Sequence, residues 1–212
     1  MRSYHQYCAV AKALDVVGDR WSLLIVRELL LRGPCRYTDL QDGLPGIATN
    51  LLANRLRDLE EAGVINREAA PPPIATTLYH LSERGQELAP VIHALTEWGA
   101  HLMVEFADGD AFRSHWLSLP TEHFLTDRDP DAPPITIEVD SGEQPMLVET
   151  IDGAVRARPG TADNADAVII GTPDVVIALF GGMISLREAR ACGLKFRGST
   201  SALRRVQAQP RT

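Results

Sequence analysis

Between Thr49 and Ala62 the chain places Asn50, Ala53, Asn54 and Arg57 on one side of a helical spacing, opposite Leu52, Leu56 and Leu59. Small, amide and guanidinium side chains on one exposed helical face can reach base edges and phosphates. A solvated amphipathic helix carries the same residue types, so the context of this helix has to decide. Other chemistry is thin. His5 and Cys8 stand three apart, but two ligands without a second pair make a weak zinc signal, and a structural role fits them better. No Gly-rich phosphate loop, no G-x-S-x-G elbow and no paired carboxylates in a plausible cleft are legible. Gly171-Thr172-Pro173-Asp174 reads as a helix start. These residues predict no enzyme, no cofactor and no metal.

The elements around the candidate helix are legible from apolar periodicity. Val10, Ala13, Leu14 and Val17 give a first helix over 7–17 with one buried face. The next, Trp21 to Leu31, is apolar on most sides and belongs in the middle of its domain. Arg36-Tyr37 suits a short strand, and Thr38 to Gln41 matches a capping box that opens a short third helix. Leu44-Pro45-Gly46 then turns the chain into the candidate helix, which Gly63 stops. Val64 to Glu68 and Thr77 to Leu81 alternate as two strands, and the three prolines between them cannot join a ladder. The result is a wing. Ser82 caps a final helix with Leu88, Ile92, Leu95 and Leu102 at helical spacing, and such an apolar terminal helix is commonly a dimer surface.

Composition sets outer limits. The 212 residues carry a net charge of −7, with 10 Lys+Arg against 13 Asp+Glu in residues 1–105 and 11 against 15 in residues 106–212. Neither half is basic, so affinity for nucleic acid has to come from arrangement and not from bulk charge. Three cysteines argue against a disulfide framework. No apolar run reaches the ~20 residues of a membrane span, and the start lacks a signal-peptide pattern. A cytoplasmic protein without membrane contact is expected.

The stretches CAVAKALDVVGDRWSLLIVRELLLRGPCRYTDL, LPGIATNLLANRLRDLEEAGVINRE and YHLSERGQELAPVIHALTEWG closely resemble the HxlR-type winged-helix regulators over about residues 5–102. The resemblance implies a homodimer joined through its first and last helices, bound to double-stranded DNA at an inverted-repeat operator. It places Ala48, Thr49, Asn50, Ala53, Asn54, Arg55 and Arg57 on the DNA-facing helix. Arg36 and Thr38 fall where the preceding segment touches backbone, and Arg67 joins them from the wing. It also puts at Cys8 a cysteine that some members use to sense oxidants or electrophiles. A buried packing thiol is the plainer role for that residue. One departure is Cys8-Ala9, where the family pattern has Cys-Pro.

Behind a polar, proline-rich connector at 127–134 the period changes to two. Strands are expected at 135–139, 146–151, 155–158, 167–170 and 194–197, with Asp152-Gly153 as a hairpin turn. Helices are expected at 173–180 (proline at its first position), 185–192 and 201–207. The fold class is α+β: a winged helix–turn–helix, then an antiparallel sheet with helices on one side. The domains read as 1–105, a helical segment and linker over 106–134, and 135–212. The stretch ADAVIIGTPDVVIALFGGMISLREARACGLKFRGSTSALRRV resembles the C-terminal half of sterol-carrier-protein-type lipid-binding domains. That resemblance implies a small apolar ligand walled by Val175, Leu179, Phe180, Met183, Leu186 and Phe196, which a filled core would explain equally well. The functional expectation is a dimeric transcription factor tuned by such a ligand. The alternative is a carrier or protein-interaction module whose winged helix binds protein.

Overall fold

Helical spacing in the first hundred residues and alternation after residue 135 give the chain two kinds of layer. A computed structural model describes residues 3–70, 76–103 and 109–208. The chain divides into two units, Met1–Leu95 and Thr96–Thr212.

The first unit runs α1 (Ala9–Val17), α2 (Ser22–Arg32), β1 (Cys35–Arg36), α3 (Tyr37–Asp42), α4 (Thr49–Glu61), β2 (Ile65–Ala69), β3 (Thr77–Leu81), α5 (Glu83–Gln86) and α6 (Ala89–Gly99). Strand β3 lies between β1 and β2, with Cys35 opposite Tyr79 and Ile65 opposite Leu81. The core is built from Ile25, Val26 and Leu29 of α2, Leu40 of α3, Leu52, Leu56 and Leu59 of α4, and Ile65. Burial of each such side chain contributes about 1.5–3 kcal/mol relative to leaving it in water. The expected proline-rich wing tip, at residues 71–75, lies outside the described residues.

Three expectations are corrected in this unit. The apolar stripe of α1 faces outward: Val10 is 67% and Leu14 42% exposed, and Ala11 and Val17 are its buried residues. The third helix starts at Tyr37, its N-cap falling on Arg36 and not on Thr38, two residues early, and Asp39 caps it by accepting the Arg36 N–H at 2.9 Å. The final helix is broken in two. Ser82 Oγ caps only α5, accepting the Gly85 N–H at 3.0 Å. Pro90, in the first turn of α6, has no N–H for the Gln86 carbonyl, which interrupts the ladder there.

The second unit contains a 3₁₀ turn (Ser114–Leu117), α7 (Ser118–Phe124), β4 (Thr136–Asp140), β5 (Met146–Ile151), β6 (Ala154–Pro159), β7 (Ala167–Ile170), α8 (Pro173–Phe180), α9 (Leu186–Ala191), β8 (Lys195–Gly198) and α10 (Thr200–Val206). The sheet order is β6-β5-β4-β7-β8. The sheet is not wholly antiparallel, because β7 pairs parallel to β4, with Ile137 beside Ala167. Residues 160–166 carry the chain back before β7 starts, and Asp166 pins the register. Its carboxylate accepts the Thr136 N–H at 2.8 Å while its own N–H donates to the Thr136 carbonyl at 2.8 Å. Alternation alone carries no strand direction, so this pairing was invisible in the pattern.

Inward residues of the sheet (Ile137, Val139, Val148, Val155, Ala167, Ile169) and of the helices (Val176, Leu179, Ala189, Leu203, Val206) share one core. Asp152 and Gly153 turn the β5–β6 hairpin with φ of 50° and 75°, as a type I′ turn requires. The polar connector is tied down. Arg205 of α10 meets the buried Asp127 carboxylate at 2.6 Å and donates to the carbonyls of Ala132 and Pro133. That guanidinium holds the Asp127 carboxyl below the usual carboxylate range.

Candidate nucleic-acid interface

Helix α4 is held on three sides. At its start Ala48 is extended, and Gly46, at φ 85°, makes the tight turn that separates α3 from α4. Tyr37 Oη donates to the Thr49 carbonyl at 2.7 Å, and Gln41 Nε2 to Thr49 Oγ1 at 3.1 Å, so α3 grips the first turn of α4. From the α1–α2 turn Asp19 reaches Arg55 Nη1 at 2.6 Å, and Asp58 meets the same nitrogen at 2.7 Å.

From below, the fully buried Glu28 carboxylate fastens α2 to the end of α3. Arg27 donates to Glu28 Oε1 from Nη2 at 2.7 Å and from Nε at 3.1 Å, and Nη2 also lies 3.4 Å from the Gly43 carbonyl oxygen. A Cβ on Gly43 would run into the Glu28 carboxylate, so a larger residue there would have to push the buried Glu28 side chain aside. Arg32 completes this side by donating to the Asp39 carbonyl at 2.7 Å.

On the face so positioned, Ala48, Thr49, Asn50, Ala53, Asn54 and Arg57 are all exposed, as are Arg36 and Thr38 on the preceding segment. The first half of α4 is free of carboxylates, which begin only at Asp58. Arg57 Nη2 donates to Asn54 Oδ1 at 3.0 Å, an exposed contact that can be exchanged for a base or a phosphate. Arg55 is placed differently. It is only 20% exposed and drawn into the two carboxylates, so its guanidinium braces the helix. Arg67 pairs with Glu60 at 3.0 Å across the start of the wing.

Cys8 is exposed at the N-cap of α1, where the Ala11 and Val10 N–H groups hold its thiol below the ordinary value. Cys35 is the opposite case: burial pushes its thiol up to about 11. Among the described residues no group of three His, Cys, Asp or Glu is arranged to hold a metal, and no helix is long and apolar enough to cross a membrane.

In the second unit Val175, Leu179 and Phe180 are buried in the shared core, with Leu186 and Phe196 packed partly buried against it. Met183 is not brought to them as a wall residue: it stands 68% exposed beyond the Gly181-Gly182 end of α8. The residues that sequence reasoning missed are Glu28, Arg27 and Tyr37, which hold the site without facing it. Glu28 had a readable signal, since it follows Ile25 by three positions on the buried face of α2.

The HxlR-like helix-turn-helix family matches residues 16–106. An HTH-type transcriptional regulator of Synechocystis sp. (sll1512) is 39% identical over 93 residues, 44% of this chain and 68% of that protein. The chain belongs to the HxlR-like helix-turn-helix family. YvaP of Bacillus subtilis, another HTH-type transcriptional regulator, is 34% identical to this HxlR-like chain over 87 residues, covering 41% of it and 80% of YvaP. Among solved structures, the reduced form of the B. subtilis transcriptional regulator YodB is 28% identical and covers 50% of this chain and 100% of its own, with a TM-score of 0.41.

Proposed function

We propose that this HxlR-like protein is a dimeric DNA-binding transcriptional regulator that lays the first half of α4 in the major groove of an inverted-repeat operator. The observation that carries the reading is the exposed, carboxylate-free row Thr49, Asn50, Ala53, Asn54 and Arg57 on a helix braced from three sides. Recognition helices meet base edges with their N-terminal residues, and this is the half of α4 that is free to do so. Ala48, Arg36 and Thr38 flank that row as backbone contacts, and Arg67 follows from the wing. Arg55 serves by holding the helix.

A dimer is supported by apolar side chains that stand in water on the single chain: Val10 and Leu14 at helical spacing along α1, with Tyr7 just before it, and Val91 and Leu95 along α6. Large apolar side chains exposed at helical spacing are candidates for a partner surface. A two-fold dimer reads two half-sites in opposite orientation. Selection from random duplexes should therefore enrich an inverted repeat whose half-site centres lie about one helical turn, or a multiple of it, apart. Failure to enrich any sequence would overturn the regulator reading.

The second unit, in this proposal, takes a small apolar ligand that sets operator affinity. The partly buried Ile177, Ile184, Leu186 and Phe196, with Met183 outside them, give its core an apolar margin where such a molecule can dock. A ligand that binds only the native state raises the melting temperature, by about 2.7 kcal/mol of stabilisation at 100 times Kd. Fluorescent long-chain fatty acids and sterols should do so with the wild type and less with Leu186→Glu, and should shift affinity for the selected operator. No melting shift at saturating probe would sink the ligand half alone.

A further inference from the structure

Charge is unevenly spread along the second unit. Residues 109–185 hold 4 Lys or Arg against 13 Asp or Glu, whereas residues 186–205 hold 6 against 1. The basic segment is α9, β8 and α10. Strand β8 is the end of its sheet, pairing with β7. Lys195 and Arg197 are two apart on it, so both project to the same face, and both are exposed. Arg187 is exposed on α9, and Arg190 of that helix reaches β8, its guanidinium 5.6 Å from the Phe196 ring centre.

Among the described residues Arg187, Lys195, Arg197 and Arg204 make no ion pair, in a chain of net charge −7. The first unit is the reverse. Arg27, Arg32, Arg55 and Arg67 are spent on its own carboxylates, which leaves Arg36 and Arg57 as the cations of the α3–α4 surface outside any ion pair. Two such cations on the α3–α4 surface supply little counterion release by themselves. We infer that the basic rim of the edge strand β8, with Lys195 and Arg197 on one side of the sheet and Arg187 and Arg190 of α9 on the Phe196 side, is a second, sequence-independent contact for the phosphate backbone of the DNA that the first unit reads. DNA is favoured over other polyanions because the first unit of the same chain holds it, and a tethered site meets its ligand at high effective concentration.

The inference rests on DNA binding by this chain but not on any one operator, so the test uses a duplex of arbitrary sequence spanning several helical turns. Full-length wild type is compared with the triple variant Arg187→Gln, Lys195→Gln, Arg197→Gln and with the charge-keeping variant Lys195→Arg, Arg197→Lys. Each phosphate contact contributes about 0.9 to the slope of log K against log salt. The triple variant should lose about 2–3 from that slope and at least about tenfold in affinity at low salt, with an unchanged melting temperature, while the charge-keeping variant follows wild type. An unchanged slope in the triple variant overturns the inference. So does an equal fall in the charge-keeping variant, or an effect confined to binding of phosphatidylserine vesicles. Arg57→Ala, which reports on α4, leaves the slope difference in place, so failure of the groove reading is seen separately.

Discussion

Replacing Glu28 by alanine is expected to destabilise the first unit by about 3–5 kcal/mol, because it leaves a largely buried guanidinium without its carboxylate. Glu28 is 0% exposed, and Arg27 approaches it at 2.7 Å. Burial lowers the Arg27 pKa, and the Glu28 charge and hydrogen bond oppose that shift. Without Glu28 the desolvation of Arg27 is uncompensated by that partner, and the link to the Gly43 carbonyl oxygen loses its brace. For a unit of this size each kcal/mol moves the melting temperature by about 4–8 °C, so a drop of more than about 12 °C should be seen by calorimetry. Glu28→Gln keeps the volume and one acceptor and should fall between the two. A Glu28→Ala protein that melts with the wild type would show that the pair does not secure α3.

The second large effect is expected at the apolar stripes. Val10→Asp together with Leu95→Asp should convert the proposed dimer to a monomer while leaving the fold intact, since the two side chains are 67% and 44% exposed on the single chain. A charge at the centre of an apolar interface is costly because it must be desolvated without a partner. The monomer then binds each half-site separately and loses the effective concentration of the second, about 10²–10⁴ in apparent operator affinity. Sedimentation equilibrium reads the mass and a gel shift the affinity. A double variant that stays dimeric would move the interface elsewhere on the molecule.

Much of this was legible before any coordinates. The strands Met146–Ile151, Thr77–Leu81 and Ala167–Ile170 fall where alternation puts them, and the Ser185–Glu188 capping box closes as its spacing requires, the Glu188 N–H donating to Ser185 Oγ at 3.2 Å and the Ser185 N–H to the Glu188 carboxylate at 2.8 Å. Periodicity failed where it cannot see a partner. Val10 and Leu14 read as core because an exposed apolar stripe and a core face share one spacing, and only burial separates them. The break before α6 turned on a single missing donor at Pro90, against a continuous apolar pattern. The parallel β4–β7 pair depended on a crossing segment with no periodicity to read. Within the candidate interface helical spacing puts Asn50, Ala53, Asn54 and Arg57 on one exposed face of α4, whereas Ala48 and Thr49 enter only through the family resemblance. The brace at Arg55 was not, because its partners Asp19 and Asp58 lie 36 and 3 positions away, and an arginine's type does not reveal whether it is already paired.

The central claim is that α4 reads bases, and the measurement closest to it compares Arg57→Ala with wild type on the selected inverted repeat and on a scrambled duplex at physiological salt. If Arg57 reaches a base edge, the variant should lose about 1–3 kcal/mol on the selected repeat, about five- to 150-fold, and far less on the scrambled duplex. Asn54→Ala should relax preference at one position of each half-site. Equal affinity of the wild type for the two duplexes would contradict the claim.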